Sequence, residues 1–359
     1  MTRVAVPNFG NYTIPLAASV ECLGAEPWCS MSTPETTRLG IEAAPESTCL
    51  PFKANLGHFL KAAQEGVEYA VMVNSVGTCR LRYYRDLQQK ILDRMNVRMH
   101  IFTLGYDGFK PPLIRHFDPP FRTFLAGVAR AVLKIKVVDL LELQAWRTRA
   151  LELHPGDTTK LMHACLKELE EAKTVQEIRG LRRAIPGRFR AVPVEEGREP
   201  LRVALVGEAT VLRDKYLNHN VEDILGALGV QVYNFFLLGL ETKKIFHLEF
   251  SSRHSRRGRL KIARPYLKSL VGGHAIETVS NTIYSAQDGY DGAVHIYPTG
   301  CMPEVSIKPI LSKISQDYRL PILNCSFDEH TSHVGIVTRI ETFVDLLYES
   351  KNKAWSLTV

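Results

Sequence analysis

Short apolar runs alternate with amphipathic stretches near both ends of the chain. Arg3-Val4-Ala5-Val6-Pro7 predicts a short strand, and Tyr69-Ala70-Val71-Met72-Val73 is continuous, as for a strand covered on both faces. Arg98 to Leu104 predicts another strand. Tyr12–Leu23, Phe52–Gln64 and Tyr83–Asn96 carry helical periodicity, with Gly24 and Gly66 ending the first two. Strands separated by such helices predict βαβ units and a parallel sheet.

From about Asp118 the pattern changes. Phe121–Leu153 and Thr158–Ala184 read as helices, Ile185-Pro186-Gly187 as a break, and Val192–Pro200 as a linker. The first pattern then returns. Leu201–Gly207, Val230–Phe235, Gly292–Tyr297 and Pro321–Asn324 predict strands, and Asn220–Leu228, Thr278–Gln287, Val305–Gln316 and Thr338–Glu349 predict helices. The expected architecture is α/β: two Rossmann-like parallel-sheet domains, 1–118 and 200–359, around a helical segment and linker, 119–199. The halves echo each other. Tyr69 to Cys79 and Gly292 to Cys301 each run strand, glycine-containing loop, cysteine.

The 359 residues suffice for two domains, and the hydrophobic share of 45% is that of an ordinary globular protein. No apolar run reaches the roughly 18 residues of a membrane span. The N-terminus lacks the marks of a signal peptide, so a cytoplasmic location without membrane attachment is expected. The seven cysteines are odd in number in a large chain, which argues against a disulfide framework. Each is a buried thiol or a metal ligand. For any one alone, the buried small hydrophobe is the plainer reading.

The net charge of +7 gathers at Arg253, Arg256, Arg257, Arg259 and Lys261, and at Arg179, Arg182, Arg183, Arg188 and Arg190. Solvated faces are the plain reading. The sharper ones are an acidic protein partner, a nucleotide-like ligand or nucleic acid. Aromatic residues do not alternate with these basic ones, which disfavours nucleic acid.

Candidate chemistry centres on cysteine. Cys49-Leu50-Pro51-Phe52 and Cys301-Met302-Pro303-Glu304 share a Cys-X-Pro context, and proline is at home in the first turn of a helix. Each cysteine is therefore expected at a helix N-terminus, where amide N–H groups favour a thiolate. Cys79, in Gly77-Thr78-Cys79-Arg80, and Cys301 follow strands at the carboxyl end, where open α/β sheets bind ligands. Zinc sites with short Cys-x-x-Cys spacing have no counterpart here. Separate cysteines beside glycines and helix starts suit an iron–sulfur cubane, with one iron left open.

Other motifs carry less. Gly272-Gly273-His274 reads as a plain loop before a phosphate-binding turn. Asp328-Glu329-His330 with His333 reads as a capping loop before a metal site. Cys325 is a candidate fourth ligand or an inert buried thiol. Cys165 and Cys22 read as core, and Cys29 stays ambiguous. No Walker phosphate loop, dinucleotide fingerprint or nucleophile elbow is present in the sequence. No catalytic residue is assigned.

In this order stand Pro7-Asn8-Phe9-Gly10-Asn11-Tyr12, Cys49-Leu50-Pro51-Phe52-Lys53 with Leu56-Gly57-His58, Gly77-Thr78-Cys79-Arg80, Pro298-Thr299-Gly300-Cys301-Met302-Pro303-Glu304, and Phe327-Asp328-Glu329-His330 with Thr338-Arg339-Ile340-Glu341. Over nearly the whole chain this resembles the proteins related to 2-hydroxyacyl-CoA dehydratases and their activases, a group that includes double-cubane cluster proteins. The resemblance implies an oxygen-sensitive [4Fe–4S] cluster between two Rossmann-like domains, with Cys49, Cys79 and Cys301 as ligands and a double-cubane [8Fe–9S] group as the alternative. It implies a separate actin-like ATPase activase that injects a low-potential electron. The substrate thioester then becomes a ketyl radical that eliminates water. A homo- or hetero-dimer with a family homologue is also implied.

The chain departs from the fused activases in lacking their Asp-x-Gly-Ser/Thr phosphate loop, so it should not hydrolyse ATP. Two functions stand: a redox enzyme component that reduces or dehydrates a small substrate, and a non-catalytic scaffold or electron relay.

Overall fold

The computed structural model describes residues 1–73, 79–104, 112–240, 255–269 and 271–356. The loop Gly77-Thr78 and the basic residue Arg253, singled out above, lie outside them. Two four-stranded parallel sheets carry the fold. The N-terminal sheet holds β1 (Arg3–Ala5), β2 (Glu26–Trp28), β3 (Tyr69–Val73) and β4 (His100–Leu104) in the order β2-β1-β3-β4. The C-terminal sheet holds β5 (Leu201–Gly207), β6 (Val230–Asn234), β7 (Gly292–Pro298) and β8 (Ile322–Phe327) in the order β6-β5-β7-β8. The expected pair of Rossmann-like parallel sheets is present, and both share one strand order. The reversal of strand order falls between β1 and β3 and between β5 and β7, the point at which open α/β sheets form a crevice at their carboxyl edge. Every residue of β7 is buried, as for a central strand covered on both faces, and its histidine, His295, is hydrogen-bonded.

In the N-terminal part the helices are α1 (Thr13–Glu21), α2 (Pro34–Ala43), α3 (Leu50–Gln64), α4 (Tyr84–Arg94) and α5 (Pro112–Phe117). Then follow α6 (Phe121–Arg149), α7 (Asp157–Glu171) and α8 (Val175–Arg190), which pack around Leu141, Cys165, Ile178 and Ile185. The C-terminal part adds α9 (Ala209–Arg213), α10 (Val221–Ala227), α11 (Arg256–Ala263), α12 (Ala275–Gln287), α13 (Met302–Tyr318) and α14 (His333–Ser356). Among the described residues no helix is long and apolar enough to cross a membrane.

The middle helices differ from the expected pattern. The break falls at Ala172–Thr174, where Thr174 and Glu177 form a reciprocal capping box, and not at Ile185-Pro186-Gly187. Pro186 sits inside α8 one turn from its end. The helix therefore forgoes one backbone bond, to Arg182, whose face is solvent-exposed. Ile185 and Phe189 stay buried and keep the turn seated.

Two helices cross at glycine. A Cβ on Gly57 of α3 would lie 1.8 Å from the Thr36 carbonyl oxygen of α2, and one on Gly40 of α2 would lie 1.8 Å from the Lys53 carbonyl oxygen. This contact sets the position of α3, which Cys49 caps. Gly57→Ala is expected to destabilise the protein by about 3 kcal/mol through overpacking. A thermal midpoint equal to wild type would show that the crossing is not tight.

Candidate metal centre in the cleft between the sheets

Cys49, Cys79 and Cys301 each occupy an N-cap. Cys49 precedes α3 with φ −77° and ψ 160°. Cys301 precedes α13 with φ −79° and ψ 101°. Cys79 precedes a short 3-10 turn, Arg80–Tyr83, with φ −64° and ψ 134°. Pro51 and Pro303 stand in the first turns of their helices, as expected from the Cys-X-Pro pattern.

Three segments distant in sequence meet here. A Cβ on Gly300 would come 3.7 Å from Cys49 Cα, and one on Gly273 would come 3.0 Å from Pro303 Cγ and 3.8 Å from Cys79 Cβ. Gly273, at positive φ, thus lets the Cys79 and Cys301 turns pack closely, while Gly300 leaves ordinary van der Waals room beside Cys49. Cys49 feels the charge of Cys79, and Cys301 feels that of Cys49.

The electrostatics run against a free thiolate. Burial pushes the Cys49 thiol up to about 12, and the Tyr84 hydroxyl and the Phe52 amide pull it back only in part. Burial also lifts Cys301, aided by Glu208 and Glu304 and opposed by the Glu304 amide. Desolvation therefore outweighs the helix N-termini. The strongest charges that both thiols feel are anionic. A cationic group is what would ionise them.

Glu208, which the sequence reading missed, caps α9 through Oε2, which accepts from the Val211 N–H at 2.9 Å. It is half-buried and its charge reaches Cys49, Cys301 and His274. The shared strand order places a counterpart to Cys49. Cys49 caps the helix leading into β3, and His274 caps the helix leading into β7. Cys79 follows β3 and Cys301 follows β7. The two halves therefore supply three cysteines and one histidine at equivalent positions, with Gly272 and Gly273 at φ 90° and 54° before the histidine. The His274 ring lies edge-on to Phe236 at 5.3 Å.

Of the other singled-out motifs, one makes a contact between the two halves and the rest pack within the C-terminal half. Lys53, one turn past Cys49 and 3% exposed, forms an ion pair with Glu329. Thr299 Oγ1 donates to Asp328 Oδ2 at 3.0 Å. Asp328 also accepts from the His330 N–H and the Thr331 hydroxyl, so the Asp328–His330 segment is a capped loop. His333 packs on His219, 5.7 Å between ring centres. Below Cys301, buried His295 contacts Glu304 Oε2 at 3.0 Å and Asn324 Oδ1 at 2.9 Å.

Cys325 is not brought to the cleft. It sits inside β8, opposite Ile296, in the apolar core with Leu205, Val294 and Phe327. Cys22 and Cys165 are also core thiols, and Cys29 is exposed.

A second cluster joins the halves beneath the cysteines. Asn8 Nδ2 donates to Asp214 Oδ2 at 2.8 Å, Ser32 Oγ donates to the same oxygen, and His58 Nε2 lies 3.1 Å from Ser32 Oγ. Serine, not histidine, stands in the middle, so this is not a nucleophilic triad. Burial holds the His58 imidazole down at about 4, against an ordinary 6.5. The unfolded chain therefore takes up this proton near pH 6.5 and the folded one only near pH 4. This contribution is complete above 6.5, and about 3 kcal/mol of it is lost as pH falls to 4. Asp214, whose carboxyl burial raises, acts in the opposite sense in the acid range. His58→Gln should flatten the pH dependence of the unfolding midpoint across this window. An equally steep profile in the variant would assign the loss to other groups.

Among the described residues no group of three or more His, Cys, Asp or Glu side chains converges on a single ion. A cubane makes no such demand, because each thiolate binds a different iron corner. Cys49 and Cys301, whose strongest charged influences are anionic, and Cys79 beside them fit that group. No family model matches the chain, and no curated protein matches it.

Proposed function

We propose that the chain is an iron–sulfur protein of the 2-hydroxyacyl-CoA dehydratase and activase-related type, holding a [4Fe–4S] cluster in the cleft through Cys49, Cys79 and Cys301. The observation that carries this is the meeting of three N-cap cysteines from both halves of the molecule. When bound, such a group supplies one-electron transfer at low potential and an iron with a free position. Electrons would come from a separate ATP-dependent activase, for reduction or radical dehydration of a small substrate.

The chain's own residues have separate tasks. The Cys49 and Cys301 turns hold the thiolates against amide N–H groups. Lys53 and Glu329 fix the first turn of α3 against the C-terminal half. Glu208, whose charge reaches both Cys49 and Cys301 and whose carboxyl burial raises, is the group able to hold or pass a proton there, with His274 as its neighbour. Burial excludes bulk water. The [8Fe–9S] alternative fits less well, because Cys22, Cys165 and Cys325 are committed to apolar cores.

The relay reading has one observation in its favour. Tyr83, Met302 and Val305, beside Cys79 and Cys301, are 65%, 39% and 42% exposed. Apolar side chains at the rim suit a docked protein.

Strictly anaerobic purification tests the cluster. About four iron and four sulfide per chain, with an EPR signal on reduction, is the expected result. Colourless protein without iron would sink the proposal. Turnover of a 2-hydroxyacyl-CoA with an ATPase and reductant marks an enzyme, and cluster reduction without turnover marks a relay.

A further inference from the structure

Tyr84 opens α4, five residues after Cys79 in the sequence. Its side chain turns back to the other cysteine, placing its hydroxyl 2.8 Å from Cys49 Sγ. The residue is 5% exposed, and its ring stands edge-on to Phe52, 4.7 Å between centres at 80°. Phe52 is itself fully buried on α3, in the same turn as Cys49. The phenol is thus held by packing, and its direction does not depend on the thiol.

We propose that Tyr84 is a positioning residue for Cys49, donating its phenol hydrogen to the sulfur and so setting the redox level of the bound cluster. The proposal rests on the reading of Cys49 as an iron ligand and deepens it. A metal-bound thiolate carries no proton, so the phenol must be the donor. Hydrogen bonds to a charged acceptor are among the stronger ones, and burial strengthens them. Such a bond favours the more negative, reduced form of the centre. Because Tyr84 leaves the turn that Cys79 caps, it also ties the Cys79 segment to Cys49.

Tyr84→Phe removes one oxygen and keeps the ring. In anaerobically prepared protein the iron content is expected to stay at the wild-type level. The ratio of reduced to oxidised cluster at a fixed potential should fall about tenfold, a midpoint shift of about 59 mV to more negative values for one electron. An unchanged midpoint at full iron content would overturn the proposal.

A second measurement needs no cluster. In apo protein, iodoacetamide labelling of Cys49, followed by peptide mass spectrometry, reads the thiolate that Tyr84 stabilises. A tenfold smaller thiolate fraction, partly offset by its higher nucleophilicity, gives a roughly threefold slower reaction in Tyr84→Phe. Core Cys165 and Cys325 should stay protected from label in both proteins and so report intact folding. Equal rates at Cys49 would overturn the hydrogen bond itself. If wild-type protein binds no iron the metal reading falls, and the labelling experiment still decides the Tyr84 contact.

Discussion

Cys301→Ala is expected to lose nearly all of the iron that anaerobic wild-type protein binds, whereas Cys325→Ala keeps it. The contrast follows from placement. Cys301 caps α13 at the cleft, with Cys49 and Cys79 alongside. Cys325 is packed in a strand against apolar neighbours. Both substitutions remove a small buried thiol, so both should cost similar stability. Only one removes a proposed ligand. With three thiolates available, loss of one leaves two, too few to hold a cubane by thiolate alone. Cys49→Ala and Cys79→Ala should match Cys301→Ala. Iron and sulfide analysis on folded, size-purified protein checks this. Full iron content in Cys301→Ala, or an equal loss in Cys325→Ala, would remove the cleft cysteines as the metal site.

The second large effect concerns stability. Arg213 is 4% exposed and lies where α1, α6 and the C-terminal sheet meet. Its guanidinium is 3.4 Å from Glu142 and 3.9 Å from Glu222, stands over the rings of Tyr12 and Trp146, and donates to the Phe236 carbonyl. The Arg213 carbonyl also lies where a Cβ on Gly10 would fall, at 2.1 Å, so the Pro7–Asn11 loop is built around it. Arg213→Met leaves two buried carboxylates without their cation. The expected cost is about 3–5 kcal/mol, read from urea unfolding at pH 7.

The pH dependence has a definite sign. Burial already raises the Glu142 carboxyl, and Arg213 opposes that rise. Without Arg213 the folded value climbs further above the unfolded one, so the folded state is favoured at low pH and penalised as pH rises. The deficit should shrink as pH falls toward the ordinary carboxylate range. Wild-type stability in Arg213→Met at pH 7, or a deficit that grows with acid, would contradict the cluster's role.

Local pattern made much of the fold legible. The run Tyr69–Val73 and the Cys-X-Pro turns needed no tertiary information, because apolar continuity and proline's missing N–H act within a few residues. The misses have local reasons too. α2 was not foreseen because Pro34–Ala43 buries little beyond Thr36 and Gly40 and so shows no apolar stripe. The break at Pro186 was overruled by buried Ile185 and Phe189, while the capping box at Thr174 made the break instead.

The candidate site divides in the same way. The family-like motifs pointed to Cys49, Cys79 and Cys301, and strand ends placed two of them at a binding edge. Glu208, Tyr84 and the equivalence of His274 with Cys49 had no signature, since each depends on groups far away in sequence.

The sequence by itself determined the helix starts, the parallel strands and the three cysteines' places at turns, because these depend on neighbours within one turn or strand. Tertiary structure alone decided that the three turns face one another, that Cys325 lies in a core, and that burial outweighs the helix N-termini at the thiols. Desolvation and cross-domain packing arise from atoms contributed by distant segments, which no local spacing encodes.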